Sequence, residues 1–101
     1  LHNCYNAIGS WFIQALAGIT PDEDAPGYRH FYVRPQLVDG ITWVEASKDT
    51  PYGLVSVKWE CQDGGLTLNV EVPVGTTTTV CLPDGDEVHL TSGKHEQKCR
   101  L

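Results

Sequence analysis

The sequence predicts a mainly β protein: an antiparallel, jelly-roll-like β-sandwich preceded by one N-terminal α-helix. Three observations carry this. Up to Ile19 the apolar residues recur at helical spacing, whereas from Tyr28 onward the spacing falls to two, in short runs punctuated by Gly, Pro, Asp and Ser. The chain has 101 residues, 41% hydrophobic and 20% charged, which suits one globular domain with a single core.

The helix rests on Ile8, Trp11, Phe12, Ala15, Leu16 and Ile19, which share one face. Asn3 or Asn6 is placed to cap its start, and Gly18 to end it in the left-handed conformation. Pro21 bars continuation. Gly9, costing about 1 kcal/mol against Ala inside a helix, predicts a close neighbour there. A single helix bearing Trp11 and Phe12 must bury them, against the β-domain or as the last member of a helical domain. The polar run at 20–27, TPDEDAPG, reads as a connector. The expected division is therefore a helical segment at 1–19, a connector at 20–27 and a β-sandwich at 28–101.

Within the sandwich, Tyr28 to Arg34 reads as a strand ended by Pro35, and Ile41 to Lys48 as the next. Thr50-Pro51-Tyr52-Gly53 has turn chemistry. Leu54 to Gln62 places Val55, Val57, Trp59 and Cys61 on one face, and Ser56, Lys58, Glu60 and Gln62 on the other. Asp63-Gly64-Gly65 closes a hairpin onto Leu66 to Val72, whose Leu66, Leu68, Val70 and Val72 face inward. Strands at Thr77 to Leu82, Glu87 to Leu90 and Lys94 to Leu101 follow, separated by turns at Pro83 to Asp86 and at Ser92-Gly93.

Seven basic against 13 acidic residues give a net charge of −6, with the basic residues scattered. Binding a phosphate backbone needs concentrated Lys and Arg, so nucleic acid and an anionic membrane surface are excluded as partners. No apolar run approaches the roughly 20 residues of a membrane-spanning helix. The chain holds no Met, begins at Leu1 and shows no signal peptide, which predicts a piece of a longer protein. Cys4, Cys61, Cys81 and Cys99 form no CxxC pair, so a zinc or thioredoxin-like site has no support. Free thiols are expected, Cys61 as a small buried hydrophobe; a Cys81–Cys99 bridge requires neighbouring strands, and three pairings stay open.

No catalytic residue, metal ligand or cofactor site is expected. Asp22, Glu23 and Asp24 lie in the connector and Asp84, Asp86 and Glu87 around a turn, without the ligand spacing of a calcium loop. Glu45, Glu60 and Glu71 lie on strands and face water. His2, His30, His89 and His95 are too dispersed for a metal motif. His89 is expected to point to solvent and His30 to be structural or interfacial. Trp11 and Trp59 read as core, whereas Trp43 interrupts the alternation and is left open between packing and a sugar-stacking platform.

The segment His2-Asn3-Cys4-Tyr5-Asn6-Ala7-Ile8-Gly9-Ser10-Trp11-Phe12, then Leu16 to Ile19, resembles the end of the catalytic domain of bacterial α-L-rhamnosidases of glycoside hydrolase family 78. So do ITPDEDAP, GYRHFYVRP, the PYG turn at Pro51 to Gly53, Leu66 to Val72 and the threonine-rich strand ending at Leu82-Pro83. The resemblance implies an upstream (α/α)6 barrel whose final helix ends at Ile19, followed by a C-terminal sandwich. It also implies an inverting hydrolase of terminal α-L-rhamnosides, a carbohydrate-metabolism enzyme, with general acid and base both upstream of Leu1. His2 takes the place of a histidine that contacts rhamnose; the local order Leu-His-Asn-Cys differs from the family's Leu-Asn-His-Tyr, so this rests on the spacing to Gly9 and Trp11. On this reading the chain is an accessory fragment whose partner is the parent's barrel. Two other classes stand beside it: a non-catalytic carbohydrate-binding module, and an interaction domain using the helix.

Overall fold

A computed structural model describes residues 15–24 and 28–101. The expectations for Asn3, Asn6, Ile8, Gly9, Trp11, Phe12, Cys4 and His2, and for the end of the connector at 25–27, lie outside the described residues. Among the described residues the chain is helical at 15–17 and then forms eight strands: β1 (Ile19–Pro21), β2 (His30–Val33), β3 (Trp43–Thr50), β4 (Gly53–Gln62), β5 (Gly65–Val72), β6 (Thr77–Cys81), β7 (Glu87–Leu90) and β8 (Gly93–Arg100). Two four-stranded sheets result, ordered β1-β2-β6-β7 and β3-β4-β5-β8.

The meander β3-β4-β5 follows from its turns. Gln62 faces Gly65 across a two-residue loop in which Asp63 and Gly64 both have positive φ, 54° and 78°. That is the loop whose twist matches paired strands, and Asp-Gly is its favoured sequence. At the other hairpin Thr50 faces Gly53, and Thr50 Oγ1 donates to Gly53 O at 2.7 Å while accepting from Tyr52 N at 3.2 Å.

The inner faces meet in one apolar core. Phe31, Val33, Val80 and Leu90 contribute from the first sheet, and Val44, Ala46, Val55, Val57, Trp59, Leu66, Leu68, Val70 and Val72 from the second. Each fully buried side chain of this size contributes about 1.5–3 kcal/mol relative to exposure. Thr78, also fully buried, donates its hydroxyl to Phe31 O at 2.8 Å.

Three features differ from the sequence reading. β1 occupies the start of the expected connector. It is a three-residue edge strand, where Pro21 is tolerated because its missing N–H faces away from the ladder. β2 and β6 pair in parallel, against an all-antiparallel expectation. A parallel pair needs a crossover, supplied here by the β3-β4-β5 meander of the opposite sheet. β3 begins at Trp43, two residues late, because Ile41 is held in a turn by its N–H to Val38 O at 3.1 Å. Val44 and Ala46 consequently point inward and Trp43 outward.

Cys61, Cys81 and Cys99 are free thiols. Cys81 and Cys99 lie in different sheets, and Cys61 and Cys99 flank Leu66 from either side. Two strand spacings, about 9–10 Å, separate that second pair, beyond disulfide reach.

Candidate functional site

The most constrained contact outside the sheets is the joint between the helix end and the sandwich. Leu16 and Ala17 are buried members of the β-core. Leu16 O, a C-terminal carbonyl without an intrahelical partner, accepts the Trp59 Nε1–H at 3.1 Å and the Gln36 backbone N–H at 2.9 Å. Gly18 has φ +76°, and its O accepts the Arg34 N–H at 2.9 Å. A Cβ at Gly18 would lie 1.8 Å from Arg34 O, so only glycine satisfies both the left-handed turn and the close approach. Trp59 is fully buried, as its alternation predicts. The bonds to Leu16 O were not legible: the Trp59 indole reaches it across 43 residues and the Gln36 backbone N–H from a loop, and neither leaves a local pattern.

Beside this joint runs an exposed apolar loop. Trp43 is 59% exposed, with Leu37 and Val38 also exposed, and Leu16, Gly40, Ile41, Trp43 and Val44 line an open depression of about 500 Å³. This resolves Trp43 as a surface residue.

The carboxylates stand as the sequence implies. Asp22 Oδ1 accepts from Asp24 N and Asp84 Oδ1 from Asp86 N, both at 2.9 Å, which are turn-stabilising bonds. Among the described residues the buried polar side chains are Thr76, Thr78 and Thr79, and every Asp and Glu side chain is exposed or half-buried. Glu45, Lys58, Asn69 and Glu96 form one row across the outer face of the second sheet, next to Ser56, Glu71 and Lys94. These line an open groove of about 420 Å³ whose alternating charges describe a solvated face. No group of three metal-ligating side chains occurs among the described residues.

On the outer face of the first sheet, His30 contacts Thr77 Oγ1 at 2.6 Å through Nδ1 and Thr79 Oγ1 at 3.1 Å through Nε2. His89 Nδ1 meets the same Thr79 hydroxyl at 3.0 Å. His30 is thus structural, knitting β2 to β6, and His89 is exposed on β7. Tyr32 packs edge-on against His30, and its hydroxyl donates to Asp22 Oδ2 at 3.4 Å. The negative charge of Asp22 raises the Tyr32 phenol above its ordinary value, with Arg34 opposing. Burial raises the Cys61 and Cys99 thiols; at Cys99 the charge of Asp84 adds to this and a backbone hydrogen bond at Asp84 opposes it. His2 lies outside the described residues.

Residues 18–97 match the family model described as bacterial alpha-L-rhamnosidase C-terminal domain. An alpha-L-rhamnosidase of Streptomyces avermitilis is 34% identical over 94 residues, which is 91% of this chain and 9% of that protein. One from Formosa agariphila is 33% identical over 101 residues, 93% of this chain and 11% of its own length. Among solved structures, the native rhamnosidase of Aspergillus terreus superposes with a TM-score of 0.82 at 34% identity, covering 94% of this chain and 11% of that one. The Streptomyces avermitilis enzyme complexed with L-rhamnose gives 0.80 at 28% identity, covering 95% and 11%. The chain spans about a tenth of the length of the curated relatives it matches. It shares the fold of those solved structures, and with residues 18–97 matching the family model it belongs to the family of bacterial α-L-rhamnosidase C-terminal domains.

Proposed function

We propose that this chain serves as the accessory C-terminal part of an inverting α-L-rhamnosidase that removes terminal α-L-rhamnose. The division follows the sequence reading: the last barrel helix at 1–19, a connector at 20–27 and the sandwich at 28–101, with β1 drawing the start of the connector into the first sheet. General acid and base lie in the preceding barrel, and His2 contacts the sugar from just ahead of the final helix. The observation that carries this reading is the joint. A sandwich that takes Leu16 and Ala17 into its core and caps Leu16 O twice is built around the end of a helix, which it holds in place.

The test compares the whole encoded protein with the 101-residue chain on an aryl α-L-rhamnoside. The whole protein should turn over and the 101-residue chain should not. In the whole protein, His2→Ala should raise KM for rhamnosides; unchanged KM and kcat would remove His2 from the site.

A second reading is favoured by one observation, the exposed indole of Trp43. Sugar rings stack on such faces, so a binding module would use it. Rhamnose titrated against the 101-residue chain while following indole fluorescence tests this, and a flat response rejects it.

A further inference from the structure

The outer face of the first sheet holds a hydrogen-bond chain for which the accessory-domain reading has no use. On this face β2 presents His30 and Tyr32, β6 presents Thr77, Thr79 and Cys81, and β7 presents Glu87 and His89. Thr79 Oγ1 lies 3.1 Å from His30 Nε2 and 3.0 Å from His89 Nδ1, and Thr77 Oγ1 lies 2.6 Å from His30 Nδ1. Thr79 is 4% exposed, so its hydroxyl is nearly closed to solvent. Two imidazoles from strands that are not neighbours, β2 and β7, therefore share one oxygen.

The number of protons decides what this arrangement tolerates. A hydroxyl has one hydrogen to give and two lone pairs to receive. A neutral imidazole has one N–H and one bare nitrogen, and a protonated one has two N–H groups. With both rings neutral the chain closes: Thr77 donates to His30 Nδ1, His30 Nε2–H donates to Thr79 Oγ1, and Thr79 donates to His89 Nδ1. One proton added at His30 keeps every contact, because Thr77 then accepts instead of donating. A second proton does not fit. Both rings would donate to Thr79 Oγ1, whose own hydrogen then has no acceptor among the described residues. Two positive charges would also stand within about 6 Å of each other.

We propose that His30, Thr79 and His89 form an acid-sensitive clasp across β2, β6 and β7, which holds with at most one proton on the two rings and opens at the β7 end when both are charged. His89 is the ring that leaves: it is exposed and has this one contact, whereas His30 keeps Thr77 as well. Imidazoles change charge between about pH 5 and 8, so the clasp acts in that range. β7 is a four-residue edge strand whose ladder partner is β6 alone, and loss of the tie to Thr79 loosens it. The charges nearby are engaged elsewhere. Asp22, beyond β1, takes the Tyr32 hydroxyl, and Arg34 lies over the Tyr32 ring at 5.9 Å. Glu87 takes the Cys81 S–H at 3.7 Å, and Glu23, Asp24 and Arg29 are exposed near the ends of β1 and β2. Among the described residues no carboxylate bonds to either imidazole.

The experiment is ring-nitrogen NMR of the histidine-labelled 101-residue chain, which holds its own core, titrated across the imidazole range. The parent is compared with His89→Gln, at an exposed position, and with His30→Gln. In the parent the two rings should take up protons in two steps, the second with about tenfold lower affinity than the first or less. In each variant the weaker step should disappear. A ring that titrates identically with and without its partner overturns the shared proton count. Amide exchange of β7, corrected for its intrinsic pH dependence, reads the clasp itself. Protection of Val88 and His89 should fall several-fold across the second step in the parent. In Thr79→Val, which keeps the shape and removes the hydroxyl, protection should already be low at neutral pH and show no step. Two-step titration with unchanged β7 protection overturns the clasp.

Discussion

Replacing Trp59 with Phe separates the joint from the rest of the core. The indole is fully buried and its N–H bonds to Leu16 O at 3.1 Å. Phe keeps the larger part of the apolar volume and loses the donor. The lost bond is worth about 0.5–1.5 kcal/mol, and the space left by the smaller ring costs on the order of 1 kcal/mol. Leu16 O keeps the Gln36 N–H at 2.9 Å, so the further 1–3 kcal/mol, roughly, of an orphaned buried carbonyl is avoided. The expected loss is therefore about 2 kcal/mol. Trp59→Ala should cost about 4–6 kcal/mol by the same sum, against a total stability of about 5–15 kcal/mol. Urea unfolding followed by circular dichroism reads the Phe variant directly: with a slope of about 1–3 kcal/mol/M the midpoint should fall by about 1 M at unchanged slope. Trp43→Phe, at a 59% exposed position, is the control and should leave the midpoint unmoved. Equal shifts in the two variants, or none in Trp59→Phe, would refute the argument that the indole ties the helix end to the sandwich.

Further outcomes follow from the same contacts. Gly18→Ala should cost on the order of 4 kcal/mol or more, since a Cβ there meets Arg34 O at 1.8 Å as well as requiring positive φ. Gly40→Ala, at φ +87° with open space around it, should cost only about 1–2 kcal/mol; thermal unfolding of the pair distinguishes them. Asp22→Asn removes the main cause of the raised Tyr32 phenol, so tyrosinate absorbance should titrate at lower pH in the variant. The Cys61 and Cys99 thiols hold their protons more tightly folded than unfolded. Whatever stability this gives is complete below the ordinary thiol range and is lost as pH rises through the raised values, so the urea midpoint should decline on the alkaline side. Replacing both residues with Ala should flatten that decline.

How much of this was legible depended on which physical signal each feature leaves in the chain. Residues 53–72 were read almost to the residue, because burial on one face imposes a period of two and Asp63-Gly64 imposes the loop that fixes register. Strand direction leaves no such mark. The residues of β2 and β6 alternate in the same way whether they run parallel or antiparallel, so their parallel pairing had to come from the structure. The strand β1 was missed because an edge position rewards polar residues and tolerates Pro21, so its composition is that of a loop. Trp43 stood out as an irregularity, which was the correct signal. The change of phase between Ile41 and Val44 is the turn that turns its ring to solvent.

The joint also bears on how a non-catalytic domain affects a catalytic one. The last turn of an isolated helix frays, since its final carbonyls lack partners. Here Leu16 O has two partners, Gly18 O has one, and Leu16 and Ala17 are counted in the sandwich core. Local opening of the sandwich therefore releases the helix end, and loss of the helix end opens the sandwich. On the proposed reading that helix is the last of the barrel, with His2 just ahead of it. Destabilising the sandwich through Trp59 or Gly18 should then lower the temperature at which rhamnosidase activity is lost by as much as it lowers the unfolding temperature of the sandwich. Activity in the whole protein that outlasts the unfolding of the sandwich would show that the helix is held by the barrel alone.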